Sequence, residues 1–245
     1  MEVLSEKHGY DLTLLAVDHP GQEQKSQWLQ IRRERPDYVL MWGWGVMNQV
    51  AIQEAANIRF PMENFIGIWW SGSENDVLPG GDGSHGYKAL ALGNPGSDYP
   101  IYEDLKKYVV DTGKAAGAGD NLGTVLYLRG LYAALLAGEA VKKAQEIHGV
   151  ADITPAMMRD GMENLEITEA MMADLGVPNF GPEFSVSCEN HGGSGTGKIQ
   201  QWDANSKTWS VITDWIKSDD SVIDPLIAAD ASAFAAENNI AERCN

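Results

Sequence analysis

Four tryptophans at the ends of two neighbouring predicted strands are the residues of this sequence best suited to bind a ligand. They are Trp42, Trp44, Trp69 and Trp70. Indole rings offer flat apolar walls, an N–H donor and faces that attract cations. The adjacent glycines let a ligand approach the backbone closely. These residues therefore predict a pocket for a small molecule with an apolar or cationic part.

The alternation of side chains along a strand limits how many of these indoles share one pocket. Neighbours such as Trp69 and Trp70 point to opposite faces of an extended strand. We therefore expect Trp44 and Trp69 to line the pocket. Packing of Trp42 and Trp70 against flanking helices is the alternative for the remaining pair.

Two carboxylates follow the third predicted strand and are the best candidates for acid–base chemistry. Glu74 and Asp76 would form such a pair, although solvated loop carboxylates are common in an acidic chain. Ser71 lacks the preceding glycine of a nucleophile elbow. No motif favours catalysis, so an α/β hydrolase using Glu74 or Asp76 is a minor alternative to a binding protein.

Motifs for cofactors and metals are incomplete. Residues 192–199 imitate a phosphate-binding loop, but Ile199 replaces the hydroxyl residue and the loop runs into an alternating strand rather than a helix. The five histidines are scattered without metal-ligand spacing. We therefore expect no cofactor and no metal.

The elements that position these residues alternate between strand and helix over the first 95 residues. The predicted strands cover 11–17, 37–42, 65–70 and 87–92, and the predicted helices cover 22–35 and 46–58. This order is typical of a doubly wound, mostly parallel α/β sheet. Ligands of such sheets bind at the carboxyl ends of the strands, where the tryptophans lie.

The pattern changes after Gly93-Asn94-Pro95-Gly96, which we interpret as a crossing between two lobes. Helices are predicted over 99–111, 123–148, 154–165, 168–175 and 224–238, and strands over 184–188, 198–202 and 208–212. Residues 1–8 resemble the back half of a helix that no strand precedes. If 11–17 is a second strand, the sheet lacks its centre.

Composition excludes several classes of protein. The chain has 245 residues and a formal net charge of −17, which disfavours binding to nucleic acid or to anionic lipid. No apolar run is long enough to span a membrane, and the first residues do not form a signal peptide. Cys188 and Cys244 are either two buried free thiols or a disulfide formed in an oxidising compartment.

A collinear series of short motifs runs through nearly the whole chain. It comprises Asp18-His19-Pro20-Gly21, 27–32, Arg35-Pro36-Asp37, 42–48, Trp69-Trp70-Ser71-Gly72, Cys188-Glu189-Asn190-His191, 200–203 and Trp209. This series resembles the branched-chain amino-acid type of ABC-transporter substrate-binding protein. Each motif is modest by itself, whereas the ordered series is specific.

The resemblance implies a type I periplasmic-binding-protein fold, with two doubly wound parallel-sheet lobes joined by a hinge. Residues 1–94 and 199–216 would belong to the second lobe, 95–198 to the remainder of the first, and 217–245 to a C-terminal helix and tail. The family's N-terminal part has no counterpart in this chain, so the first lobe would be incomplete.

The resemblance also implies where the ligand binds. Trp44 occupies the family's aromatic position, and Trp69 stands where amino-acid binders have a carboxylate, with Glu74 five residues later. Tyr127 and Arg129 begin a long first-lobe helix and would face the cleft; a surface position is the alternative for Arg129. Trp70 and Ser71 complete the expected set: Trp44, Trp69, Trp70, Ser71, Glu74, Tyr127 and Arg129.

The expected function is therefore capture of a small solute outside the cytoplasm and its delivery to a membrane ABC permease, without chemistry. The candidate ligands are a branched-chain or aromatic amino acid, an amide or a cationic amine. The expected partners are this ligand and the permease, with no nucleic acid and no direct membrane insertion. A ligand-sensing regulatory domain of the same fold is the alternative.

Overall fold

A computed structural model describes residues 1–117, 119–241 and 243–244 of the chain. Its strands are β1 (Val39–Met41), β2 (Phe65–Gly67), β3 (Lys88–Ala91), β4 (Glu166–Ile167), β5 (Phe184–Ser185), β6 (Thr196–Asp203), β7 (Thr208–Val211) and β8 (Ile216–Lys217). Its helices are α1 (Glu2–His8), α2 (Lys25–Glu34), α3 (Val46–Asn57), α4 (Glu74–Val77), α5 (Ile101–Leu105), α6 (Val125–His148), α7 (Pro155–Met162), α8 (Glu169–Asp174) and α9 (Asp220–Asn238). These elements confirm the predicted α/β class.

The central sheet is mixed and has the order β1-β2-β3-β6-β7, with β8 also paired to β6. Strands β1, β2 and β3 are parallel and are connected through helices, as the alternating pattern predicts. Strand β6 returns antiparallel to β3, with Ala89 opposite Gln200, and forms a hairpin with β7. β4 and β5 form a separate two-stranded sheet.

Two hydrophobic clusters hold the fold together. The first surrounds the central sheet, where edge-to-face aromatic contacts join Phe65 to Trp28 and to Tyr87. The second packs α6 against α5, α8 and the following loop, through residues such as Leu128, Met172 and Phe180. Three of the helices start after a hydroxyl residue whose side chain accepts a backbone hydrogen bond: Thr124, Thr154 and Thr168 cap α6, α7 and α8.

The strand predicted over residues 11–17 is wrong, because this segment pairs with no other strand among the described residues. Leu15 packs against the first cluster, whereas Leu14 is exposed. The neighbouring strand β1 pairs only with β2 within the described part of the chain, so its other edge is free. Residues 11–17 are therefore mostly apolar but form no hydrogen-bonded strand pair within the described part of the chain.

The third predicted strand is shorter than expected. It ends at Gly67, and residues Trp69–Ser71 form a 3₁₀ turn instead of continuing the strand. Trp42 and Trp70 are also exposed, at 74% and 52%, so packing of these indoles against helices is wrong. The simple alternation of strand faces does not apply to residues of a turn.

The C-terminal region is attached at both ends of α9, although α9 itself has no buried residue. Lys7 Nζ lies 2.6 Å from the Asp219 carboxylate just before the helix. After it, Cys188 and Cys244 form a disulfide with their Cα atoms 5.6 Å apart. No helix of the described residues is long and apolar enough to cross a membrane.

Candidate functional site

A cleft of about 790 Å³ opens between the central sheet and helix α6. Its sheet side comes from the end of β3 and from β6 and β8, and its opposite side comes from the first turns of α6 and the loop at 180–186. Of the seven residues expected to contact a ligand, Trp69 and Arg129 line this cleft. The cleft therefore contains two of the seven expected residues.

Arg129 and Trp69 contact each other across the cleft's edge. The guanidinium carbon of Arg129 lies 4.6 Å from the centre of the Trp69 ring, which is a cation–π arrangement. Burial lowers the pKa of Arg129 to about 10, while the nearby Asp76 and Glu74 favour its charged form. The guanidinium is still charged at neutral pH.

Glu74 does not line the cleft but binds the beginning of α6. Its carboxylate accepts a hydrogen bond from the Val125 N–H at 3.1 Å, at a helix end where backbone donors lack intrahelical partners. Burial raises the pKa of Glu74, against the opposing effects of these backbone hydrogen bonds and of Arg129. The carboxylate therefore connects the start of α4 to the start of α6.

Asp76 and Ser71 are placed for structural roles. Asp76 is buried and accepts hydrogen bonds from Asn48 Nδ2 at 2.8 Å and from both the N–H and the hydroxyl of Ser73. The Ser71 hydroxyl is fully buried and donates to the Gly43 carbonyl. Neither polar group is directed at the cleft, which argues against the expected ligand role of Ser71 and against an acid–base pair.

Trp44 and Trp70 form, with His19, an exposed aromatic cluster outside the cleft lining. The Trp44 and Trp70 rings meet edge to face at 5.8 Å, and His19 lies 6.3 Å from Trp44. Trp70 also lies 6.2 Å from Trp69. This cluster thus continues from the cleft edge onto the surface.

Tyr127, in the first turn of α6, lies outside the lining as well. Its ring is 6.3 Å from that of Tyr102. The expected contact of Tyr127 with a ligand is therefore not a feature of this arrangement, whereas Arg129, two residues further on, reaches the cleft.

The rest of the cleft is largely apolar. The Tyr132 and Phe180 rings contact each other at a tilt of 46°, with their centres 4.4 Å apart. Gly93 lies so close to Phe180 that a Cβ atom there would be 2.3 Å from the ring. Burial raises the pKa of the Tyr132 hydroxyl to about 12, so it stays protonated. This wall suits a hydrophobic group.

Sequence reasoning missed three polar residues at the junction of β3 and β6. Gln200 is buried and donates to the Gly72 carbonyl at 2.8 Å. Lys198 donates to Asn94 Oδ1 at 3.1 Å and lies 4.5 Å from the Trp215 ring. The crossing motif Gly93-Asn94-Pro95-Gly96 could have drawn attention to Asn94. No motif in the sequence indicated its distant partner Lys198.

No cluster of three metal-ligating side chains occurs among the residues that the structure describes. The loop at 192–195 leads into β6 and not into a helix, as the sequence predicts. The cleft thus offers three basic side chains, those of Arg129, His191 and Lys217, together with one indole and a largely apolar wall.

Comparison with protein families gives one match, to the model of the periplasmic binding proteins, over residues 3–207. No curated protein matches this chain at a comparable level of significance.

Several solved structures share its architecture. One, described as an ABC transporter permease from the Pseudomonas fluorescens group, is 38% identical with a TM-score of 0.89 and is matched over 100% of this chain and 59% of its own length. A branched-chain amino acid ABC transporter protein from Thermus thermophilus with bound valine is 15% identical, with a TM-score of 0.67, covering 89% of this chain and 56% of that one. A leucine-binding protein from Thermotoga maritima is 11% identical, with a TM-score of 0.62, covering 88% and 54%. This chain thus spans less than two thirds of each of these proteins.

Proposed function

This chain belongs to the periplasmic binding protein family, and we propose that it captures a small solute for an ABC transporter. The observation that carries this proposal is the cleft bordered by the stacked Arg129 and Trp69. A polar contact at one side and an apolar wall at the other are typical of a small-molecule site. The solute would be amino-acid-like, or an amide or amine, with a polar head and an apolar body.

We propose that the cleft closes by a hinge between two lobes, with residues 1–94 and 199–216 in one and 95–198 in the other. The two hydrophobic clusters support this division, because the first is built from 1–94 and 199–216 apart from Val125, and the second lies within 95–198. The Lys198–Asn94 hydrogen bond lies where the chain would cross between the lobes. Closure would bring Trp44 and Trp70 towards the ligand and add contacts to those of the open cleft.

The proposed setting is outside the cytoplasm, where the closed, liganded form would be delivered to a membrane permease without chemical change. Family membership supports an extracytoplasmic location. The Cys188–Cys244 disulfide also supports it, because such bonds persist in oxidising compartments.

A thermal-shift panel of amino acids, carboxylates, amides and amines tests solute capture. A ligand at 100-fold its Kd stabilises a folded protein by about 2.7 kcal/mol, so a binder gives a clear rise in Tm. Trp69→Ala should abolish the rise because it removes the ring under Arg129. Trp42→Ala, which changes an exposed indole outside the cleft, is the matched control and should retain it. No shift with any solute would contradict the proposal.

A further inference from the structure

The basic residues of the cleft differ in whether a carboxylate neutralises them. Lys217 Nζ is 2.7 Å from the Asp220 carboxylate, and the His191 ring is 3.2 Å from that of Glu163. Arg129 has no carboxylate within 4.0 Å among the residues that the structure describes. Its charge is therefore available to a ligand.

Two carboxylates favour the charged form of Arg129, and both already accept hydrogen bonds from other residues. Glu74 accepts from the Val125 N–H, and Asp76 accepts from Asn48 and Ser73. Both favour the charged form of Arg129 from a distance. They keep the guanidinium protonated without occupying its donors, whose planar arrangement matches a carboxylate.

No aspartate or glutamate lines the described part of the cleft. A ligand ammonium would lose its water there and gain no opposite charge, which is costly. The surrounding side chains are mostly apolar, among them Leu92, Leu128, Tyr132, Phe180 and Ile199, and the polar ones, such as Asn94 and Gln200, carry no charge. An apolar body would be stabilised by burying its surface against this wall.

We propose that the cleft selects an apolar carboxylic acid without an ammonium group, its carboxylate held by Arg129 and its body by the apolar wall. This inference rests on the proposed solute-binding function, but it replaces the amino-acid-like, amide and amine ligands with a carboxylic acid. The stacked Trp69 ring would hold the guanidinium in place before the ligand arrives, which lowers the entropy cost of binding.

Matched ligands on two skeletons test this selection by isothermal titration calorimetry. An isobutyl and a phenyl skeleton are each offered as the acid, the amide, the amine and the α-amino acid. The acid of at least one skeleton should bind at least about tenfold more tightly than its three analogues, because a charge-assisted hydrogen bond contributes about 1.5–3 kcal/mol. An amino acid or amine that binds as tightly as the acid would overturn the inference.

Substitutions of Arg129 test whether this residue causes the preference for the acid. Arg129→Gln should weaken acid binding at least about tenfold, and Arg129→Lys should restore part of it by returning the charge without the planar fork. Arg32→Gln, on the exposed face of α2, is the matched control and should bind normally. Circular dichroism melts of the unliganded variants verify that each is folded. Unchanged acid binding by a folded Arg129→Gln variant would overturn the assignment.

The two proposals fail differently. If neither acid binds but other solutes stabilise the protein in the broad panel, solute capture stands and the carboxylate selection is wrong. If no solute binds at all, both are wrong.

Discussion

Glu74 illustrates how one residue joins the two sides of the cleft without contacting a ligand there. Its carboxylate caps α6 through the Val125 N–H, while its own segment follows β2. Any substitution that removes this acceptor leaves a helix donor unpaired and loosens the start of α6. That start carries Arg129, so the position of the cleft's cation depends on Glu74.

Glu74→Ala should lower the free energy of unfolding by about 1 kcal/mol, the usual cost of losing a helix cap. Glu74→Gln keeps an acceptor oxygen and should cost less. Because burial raises the folded-state pKa of Glu74 above 4.5, protonation favours the native state. Relative to Glu74→Gln, the wild type should therefore lose stability as the pH rises from about 4.5 towards neutrality. Urea unfolding across this range measures it.

The direction of that pH dependence shows whether the native state favours the protonated or the ionised form of Glu74. If the wild type instead gained stability over Glu74→Gln with rising pH, the ionised carboxylate would be the favoured native form and the effect of burial would not dominate.

At this scale the sequence predicted part of the site. The side chains of Trp69 and Arg129 were expected in the pocket, and both line the cleft. Ser71 was expected there too, but the chain leaves the strand at Gly67 and turns through Trp69–Ser71, which buries the hydroxyl against Gly43. A one-dimensional pattern does not indicate where a strand changes into a 3₁₀ turn.

Helices α6 and α7 pack closely against each other at Gly161. Gly161 of α7 faces α6, where an added Cβ would lie 2.2 Å from the Ala140 carbonyl oxygen and 2.9 Å from Ala144. Only a residue without a side chain allows this separation of the two helices. The packing of α6, and with it the wall of the cleft, depends on that position.

Gly161→Ala should destabilise the protein by about 1–3 kcal/mol through overpacking. Gly138→Ala, on α6 with no atom within 4 Å of the added Cβ, is its matched control. It should stabilise by up to about 1 kcal/mol, because alanine has the higher helix propensity. Chemical denaturation of both variants measures the contrast; equal effects of the two would contradict the packing argument.

Most elements were predictable because their periodicities are strong. The 24-residue α6 and the β6–β7 hairpin form close to where the sequence places them. The failure at 11–17 has a different origin, since forming a strand requires a neighbour as well as an apolar pattern. That neighbour is a property of the assembled sheet and not of the segment.

The whole molecule is divided into two hydrophobic clusters, and its C-terminal segment is fastened by a bond between distant residues. Cys188 and Cys244 are separated by 56 positions, a span that includes β6, β7 and α9. Since α9 buries no residue, it depends on its attachments more than on packing. The disulfide thus restrains a segment of the chain that is not held by hydrophobic burial.

Titration of the denatured, unreduced protein should find no free thiol, and reduction should release both cysteines. Replacing both cysteines by serine should lower the free energy of unfolding by about 2–4 kcal/mol, because the open chain gains conformational entropy when unfolded. The wild type under reducing conditions is the control for the substitutions themselves. Two free thiols before reduction would contradict the bridge.

The free edge of β1 is a site where another chain could pair with the central sheet. Its outward peptide groups have no strand partner within the described residues, and the exposed Tyr38, Leu40 and Trp42 lie beside them. An unpaired strand edge with apolar side chains is a template for the strand of another chain. A high protein concentration should therefore favour association of this chain, because each additional copy can extend the same sheet at β1.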